Sequence, residues 1–127
     1  MKSKSYVIGL LNQFIEAAQK VYDSWDEDLI EELNGGGICH LIAEEFCSIL
    51  AINGIDACEV TDYSIQHVYT IMQLKDGIYS LDIPPYNYEI GGGYSWVKIP
   101  DVIFNQSLIE IYLIDSDSNN FNLYIEE

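Results

Sequence analysis

Cys39 has the clearest chemical potential of any residue in the chain, because it follows three glycines and opens a segment of helical periodicity. The run Gly35-Gly36-Gly37 cannot sustain a helix or a strand, so we expect a helix to begin near Ile38. At a helix N-terminus, unpaired amides and the positive end of the dipole stabilise a thiolate, which forms with a pKa of about 8.5 in a free cysteine. The position therefore favours a nucleophilic thiol whose own amide faces a developing oxyanion.

A nucleophilic thiolate needs a base to hold its proton and an acceptor to orient that base. His67 begins one predicted strand and Asp82 ends the next. Alternate residues of a strand share a face, so an even register offset brings the two side chains to the same side of the sheet. A two-residue turn at Asp76-Gly77 would set Asp82 opposite Ile71, four residues from His67. We therefore expect a bulge or a wider loop in this hairpin.

The other histidine and cysteines have simpler interpretations. His40 is a competing base, but adjacent helical residues point about 100° apart, so it should diverge from Cys39 and be exposed or packed. Cys47 and Cys58 lie among apolar residues and are interpreted as small core residues. A core thiol beside a helix start remains the alternative for Cys39 itself.

Periodicity predicts the elements that must position these residues. Helical spacing covers residues 4–22, a short acidic helix is expected within 23–33, and a third helix runs from Ile38 to Asn53-Gly54. Strands are predicted over 55–62, 66–74 and 78–83, followed by a glycine loop at 91–93 and a last hairpin of 108–114 with 122–125. This order indicates a single α+β domain of residues 1–127, in which N-terminal helices and a Cys-bearing helix pack on an antiparallel β-sheet.

The charge balance restricts the classes of partner. The chain has 21 acidic and 5 basic residues, a net charge of −16. Phosphate-backbone binding depends on Lys and Arg, so direct binding to nucleic acid is not expected. The acidity is typical either of a solvated surface or of attraction to a basic protein partner.

Other patterns argue against several sites and locations. Residues 1–20 lack the pattern of a signal peptide, and no apolar run approaches the roughly twenty residues of a membrane span, so a cytoplasmic protein without membrane association is expected. Two histidines and three scattered cysteines give no zinc spacing. We expect neither a metal nor a cofactor.

Residues 35–85 resemble the transglutaminase-like branch of the papain-like cysteine hydrolases. The resemblance is carried by a Gly-x-Cys helix start, a Gly-Ile pair closing that helix, a His-x-aromatic strand and a strand ending in Asp and Pro. These motifs are Gly37-Ile38-Cys39, Gly54-Ile55, His67-Val68-Tyr69 and Asp76-Gly77-Ile78-Tyr79-Ser80-Leu81-Asp82-Ile83-Pro84. Tyr69 stands where the family usually has Trp, Ile83 separates Asp82 from Pro84, and the stretch between Tyr63 and His67 is short.

The resemblance implies that Cys39 attacks an amide or ester carbonyl, that His67 protonates the leaving group and that Asp82 orients His67. A thioester would then be resolved by water or an amine, in a thiol-dependent hydrolase or acyl transferase acting on peptide, isopeptide or side-chain amide bonds of a protein substrate. The alternative is an acidic binding or inhibitor protein on a papain-like scaffold that engages a basic or nucleic-acid-binding protein.

Further residues are candidates around this triad. Asn34 and Gln66 are candidates for a second oxyanion donor, with a loop cap or an exposed amide as the alternative for each. Candidates for the substrate cleft are Gly36, Gly37, Tyr69, Tyr94 and Trp96. The glycine loop at 91–93 is interpreted as a rim beside the cleft, where Tyr86 and Tyr88 would also offer apolar contacts.

Overall fold

The N-terminal helical segment is divided in two. The computed structural model describes residues 1–25, 37–92 and 95–125, and in it α1 spans Lys4–Ile8 and α2 spans Leu11–Ser24. The prediction of a single helix over 4–22 is wrong, because the helix is interrupted at Gly9. The Gly9 N–H donates to the carbonyls of both Ser5 and Val7 and ends α1. Buried apolar positions continue across the break, so one stripe faces the core. The acidic helix predicted within 23–33 falls almost wholly outside the described residues.

Helix α3 spans Ile38–Ile52 and is the helix that carries Cys39. It ends as predicted at Asn53-Gly54, where Gly54 takes a φ of +74° that a side chain would disfavour. Its buried face includes Ile42, Phe46 and Leu50. Phe46 meets Phe14 of α2 edge to face, with the ring centroids 5.1 Å apart.

Helix α3 packs on a four-stranded antiparallel sheet. The strands are β1 (Ala57–Asp62), β2 (His67–Leu74), β3 (Gly77–Asp82) and β6 (Glu110–Asp115), in the order β1-β2-β3-β6. Met72, Leu74 and Leu81 are fully buried in the same core as α3, and each such side chain contributes about 1.5–3 kcal/mol. The Thr70 hydroxyl donates to the Ala43 carbonyl at 3.2 Å and ties β2 to α3. The α+β prediction is confirmed.

The hairpin of β2 and β3 has a regular register. Leu74 pairs with Gly77, so the turn is Lys75-Asp76, one residue earlier than the turn that we considered. The bulge or wider loop predicted here is wrong, and the irregularity in this sheet lies instead where β3 pairs with β6. Gly77 permits the close approach of β6, since a Cβ there would lie 2.5 Å from the Asp115 carbonyl oxygen, and its φ is +145°.

The C-terminal segment differs from the predicted hairpin. β6 pairs with β3, and residues Ser118–Tyr124 form a 3-10 helix in place of a strand over 122–125. The Asp115 and Asp117 side chains accept backbone N–H bonds from two residues further along and so favour turns over extension. Phe121 anchors this segment against Ile71 and Ile78.

A second, two-stranded sheet replaces the glycine loop. Its strands are β4 (Glu89–Gly92) and β5 (Ser95–Lys98), with Gly91 paired to Trp96. Within the described ranges, no helix is long and apolar enough to cross a bilayer.

Candidate active site

The start of α3 holds Cys39 in a buried position. Gly37 is the N-cap residue and Cys39 lies in the first turn, as predicted, with 8% of its surface exposed. Gly37 offers no capping side chain, and the carboxylate of Glu89 accepts the Ile38 N–H instead. The first-turn amide of Cys39 has no acceptor within its own helix, because its intrahelical acceptor would precede residue 37.

His67 and Asp82 form a direct hydrogen-bonded pair at the end of the sheet. His67 opens β2 and Asp82 closes β3, and Nε2 of the imidazole lies 2.8 Å from Oδ2 of the carboxylate. Thr70 is opposite Leu81, so one further step of the register sets Tyr69 opposite Asp82. His67 is then the diagonal neighbour of Asp82 on the same face, within reach of its side chain.

The imidazole also interacts with the nucleophile. The Cys39 thiol is one of the causes that raise the His67 pKa, and Nδ1 of the ring is buried with no hydrogen-bond partner of regular geometry among the described residues. The sulfur is therefore close to the ring but loosely aligned with it. Unliganded catalytic pairs often have such geometry and tighten only around substrate.

The surroundings of His67 favour its protonated form. Burial lowers its pKa, since only 5% of the residue is exposed, but the hydrogen bond to Asp82, the Cys39 thiol and the charges of both outweigh burial. The result is a His67 pKa raised from 6.5 to about 9. At neutral pH the ring is thus an imidazolium, which stabilises negative charge on a neighbouring sulfur.

Burial and the hydrogen bond between the two residues also shift the pKa of Asp82, but each acts on it in the opposite direction from its effect on His67. Burial raises the pKa of its carboxyl, while the hydrogen bond from His67 and the Ile83 backbone amide lower it and only partly compensate. Both pKa values of the pair are therefore raised. We take the imidazolium–carboxylate form as the neutral-pH state, because a 2.8 Å hydrogen bond between opposite charges leaves the buried pair without net charge.

A groove of about 240 Å³ lies on the sheet face beside this pair. Tyr69 forms part of its wall and stacks on the His67 ring, with centroids 6.1 Å apart and planes 19° apart. Besides the His67–Asp82 pair, the groove is lined by carboxylates of Asp62 and Glu110 and by apolar side chains, among them Ile65, Tyr112 and Ile114. This arrangement suits a segment that carries both basic and apolar groups.

His40 diverges from Cys39 as predicted. Its Nδ1 lies 3.5 Å from a Glu59 oxygen and its Nε2 lies 3.9 Å from a Glu44 oxygen. The donor atoms of these three residues lie within 4.8 Å of one another, a spacing compatible with a cation that the sequence did not suggest. All three are partly or fully exposed, however, and exposed acidic groups commonly cluster without a ligand.

The remaining sequence candidates are dispersed. Gln66 is exposed in the β1–β2 turn with a φ of +51°, which places its amide outside the buried part of the site. Gly37 and Tyr69 both adjoin the triad, at the N-cap of α3 and beside His67. The backbone of Trp96 belongs to β5. Asn34, Gly36 and Tyr94 lie outside the described residues.

Two polar residues next to the triad were not predicted from the sequence as site residues. Tyr88, interpreted as a rim residue, is fully buried, and Glu89 is only 8% exposed. Among the described residues, the Tyr88 hydroxyl and Oε1 of Glu89 have no hydrogen-bond partner. No local pattern marks these two residues, because Tyr88 packs against Phe104 and Glu89 bonds to the Ile38 amide, both outside the local segment.

The surroundings of Cys47 differ from those of Cys39. Cys47 is half-buried beside the Thr70 hydroxyl, and burial raises its pKa to about 11. All three cysteines are free of disulfides. Cys39 is therefore the thiol that the fold brings to an imidazolium.

Comparison of this chain with protein-family models, with curated proteins and with solved structures finds no match.

Proposed function

We propose that this protein is a thiol-dependent hydrolase or acyl transferase that acts on peptide, isopeptide or side-chain amide bonds. One observation carries the proposal: a buried imidazole is hydrogen-bonded through Nε2 to Asp82 and interacts with the thiol of Cys39, which lies at a helix start. Nucleophile, base and orienting acceptor are thus present in the order that acyl transfer requires. The transglutaminase-like resemblance of residues 35–85 supports the same reading.

In the proposed reaction the Cys39 thiolate attacks the carbonyl carbon and forms a C–S bond, while the carbonyl electrons move to oxygen. Collapse of this tetrahedral intermediate breaks the C–N bond, and the His67 imidazolium gives its proton to the departing amine. Asp82 holds the ring in position throughout. Water or a second amine then attacks the thioester, with neutral His67 accepting its proton, and Cys39 is regenerated.

The groove beside the His67–Asp82 pair supports a protein or peptide substrate. Asp62 and Glu110 place carboxylates in the groove beside apolar side chains, which favours segments containing Lys or Arg next to apolar residues. Three cysteines that form no disulfide are typical of a reducing compartment, so the proposal includes a cytoplasmic location.

Thiol labelling and acylation test the proposal. Iodoacetamide should modify Cys39 before Cys47 at pH 7, because a thiol with a pKa of about 11 is almost wholly protonated at that pH. An activated ester, p-nitrophenyl acetate, should give a burst of nitrophenolate and an acetyl group on Cys39. His67→Ala should slow both reactions, and Cys39→Ala should abolish the burst.

Cys47→Ala is the matched control, since it removes a thiol with no imidazole partner and should leave the burst intact. Equal labelling of Cys39 and Cys47 in the native protein, or a burst that persists in Cys39→Ala, would contradict the proposed nucleophile.

A second candidate is an acidic binding or inhibitor protein that engages a basic partner, and the net charge of −16 favours it. The two candidates separate in one comparison. Cys39→Ser should abolish acylation but leave binding to a basic protein unchanged, whereas full biological effect in Cys39→Ser would favour the binding protein.

A further inference from the structure

Tyr88 carries a buried hydroxyl that has no hydrogen-bond partner in the part of the chain that the structure describes. The residue is 0% exposed, and its ring meets Phe104 edge to face with centroids 6.0 Å apart. A buried hydroxyl that has lost its water contacts and gained no partner destabilises the folded state. Such a group in a native fold calls for an explanation.

The position of Tyr88 connects it to the nucleophile. Oε1 of the adjacent Glu89 lies 3.4 Å from the place that a Cβ on Gly37 would occupy, so this part of the chain adjoins the start of α3. Tyr88 and Cys39 belong to one cluster of buried side chains. Burial raises the pKa of the phenol well above 10, and Cys39 is the first of the charged neighbours that raise it further. Tyr88 is therefore a neutral donor throughout the neutral range of pH.

We propose that the Tyr88 hydroxyl donates a hydrogen bond to the oxyanion that forms when Cys39 attacks a carbonyl, an inference that rests on the function proposed above. The C–S bond forms as the carbonyl electrons move to oxygen, and the Tyr88 O–H and the Cys39 amide hold that oxygen. Tyr88 keeps its proton. When the intermediate collapses, the C=O bond is restored and the hydroxyl is again without a partner.

Competing donors are weaker candidates. Gln66 is exposed at a turn, and the Ile38 amide is already bonded to Glu89. Among the described residues Trp25 also has an unpartnered buried Nε1 in the same cluster, but it lies at the end of α2, whereas the chain next to Tyr88 reaches the start of α3 through the bond between Glu89 and the Ile38 amide. A donor held ready for an oxyanion explains why the Tyr88 hydroxyl has been kept in an apolar core.

Two reactions of Cys39 distinguish this role from others. Acetylation by p-nitrophenyl acetate passes through an oxyanion, whereas alkylation by iodoacetamide displaces iodide at a saturated carbon and forms none. Tyr88→Phe should slow acetylation by about 10²–10³-fold. It should leave the rate and pH profile of alkylation unchanged, and the melting temperature equal or higher, because an unsatisfied hydroxyl is removed.

Tyr22→Phe is the matched control. It removes an equally buried phenol whose oxygen already accepts the Val102 N–H, so it should lower stability slightly and leave acetylation unchanged. Trp25→Phe tests the competing donor and should also leave acetylation unchanged.

Unchanged acetylation in Tyr88→Phe would overturn this proposal and leave the proposed function standing. Equal slowing of acetylation and alkylation would also overturn it, since Tyr88 would then act on the thiolate. Slowing in Trp25→Phe alone would assign the role to the indole. Absence of any acetyl group on wild-type Cys39 would overturn the proposed function and the role of Tyr88 together.

Discussion

The pairing of His67 with Asp82 predicts a specific dependence of stability on pH. The His67 pKa is raised from 6.5 in the unfolded chain to about 9 in the folded protein, and Asp82 is the main cause of that rise. A group whose pKa is raised on folding stabilises fully below the unfolded value and ceases to stabilise as pH rises through the folded value. The contribution of His67 should therefore be complete below pH 6.5 and lost by about pH 9.

The size of this contribution follows from the two pKa values. Their separation corresponds to about 3 kcal/mol of unfolding free energy, lost at up to about 1.4 kcal/mol per pH unit. Asp82→Asn removes the carboxylate, whose hydrogen bond is the largest cause that raises the His67 pKa against the effect of burial. The His67 pKa in this variant should therefore fall to near or below 6.5. The variant should then show little of this slope and should be about 3 kcal/mol less stable than wild type at pH 6.

Two measurements check the reasoning. Urea unfolding between pH 5.5 and pH 9.5 gives the slope for each protein, and the raised pKa of Cys47 cancels in the comparison because both proteins contain it. Proton NMR gives the titration of His67 directly, and His40→Gln assigns the signal. Cys39→Ala should give an intermediate His67 pKa, since the thiol is a smaller cause of the rise than Asp82.

A wild-type His67 that titrates at 6.5 or below would refute the reasoning, as would an equal slope in wild type and Asp82→Asn. Either result would mean that burial, and not the carboxylate, determines the charge of the ring.

Two further perturbations follow from other parts of the structure. Gly77→Ala should destabilise the protein by more than about 2 kcal/mol in urea unfolding, because the new Cβ meets the Asp115 carbonyl at a φ of +145°. Gly54→Ala is its control and should cost less, since it meets no neighbour within 4 Å, and equal costs would contradict the steric explanation. Raising salt from about 50 to about 500 mM should weaken binding of a lysine-containing peptide but leave iodoacetamide labelling of Cys39 largely unchanged. Peptide binding whose affinity does not change with salt would argue against a role for the acidic groove.

The periodicity of apolar residues in the sequence was sufficient to predict the helix and the two strands that carry the triad. The apolar stripe after the three glycines placed α3 correctly, and alternation placed β2 and β3 within two residues of their bounds. These are strong local signals, because a helix or strand facing one core repeats its apolar residues at a fixed period. These strand positions placed His67 and Asp82 at the same end of the sheet, but whether the two side chains meet depends in addition on the register of the hairpin.

The register of the β2–β3 hairpin could not be predicted in the same way. A turn at Lys75-Asp76 and a turn at Asp76-Gly77 differ by two residues in pairing, so both leave every side chain on the same face of the sheet. The apolar pattern is identical in the two cases. In the structure the turn is Lys75-Asp76, and Gly77 is the first paired residue of β3. Because Gly77 has no Cβ, β6 can approach it closely in this register.

Other errors have different physical causes. Leu123, Tyr124 and Ile125 form a short apolar run typical of a strand. Backbone N–H groups instead donate to the Asp115 and Asp117 carboxylates, which favours turns, and Phe121 packs against the sheet. Glu89 bonds to the Ile38 amide of α3, about fifty residues earlier in the chain, and Tyr88 packs against Phe104, so no local rule anticipates the positions of these two residues.

The two-residue turn at Lys75-Asp76 also limits how this protein can change during evolution. Hairpin tips are ordinarily among the places where insertions and deletions are accepted most readily. Here a single inserted residue would, if the turn stayed two residues long, shift the pairing by one and turn Asp82 to the face opposite His67. Lineages that retain the His67–Asp82 pair should therefore vary freely in the sequence of this turn but should not gain or lose a single residue in it.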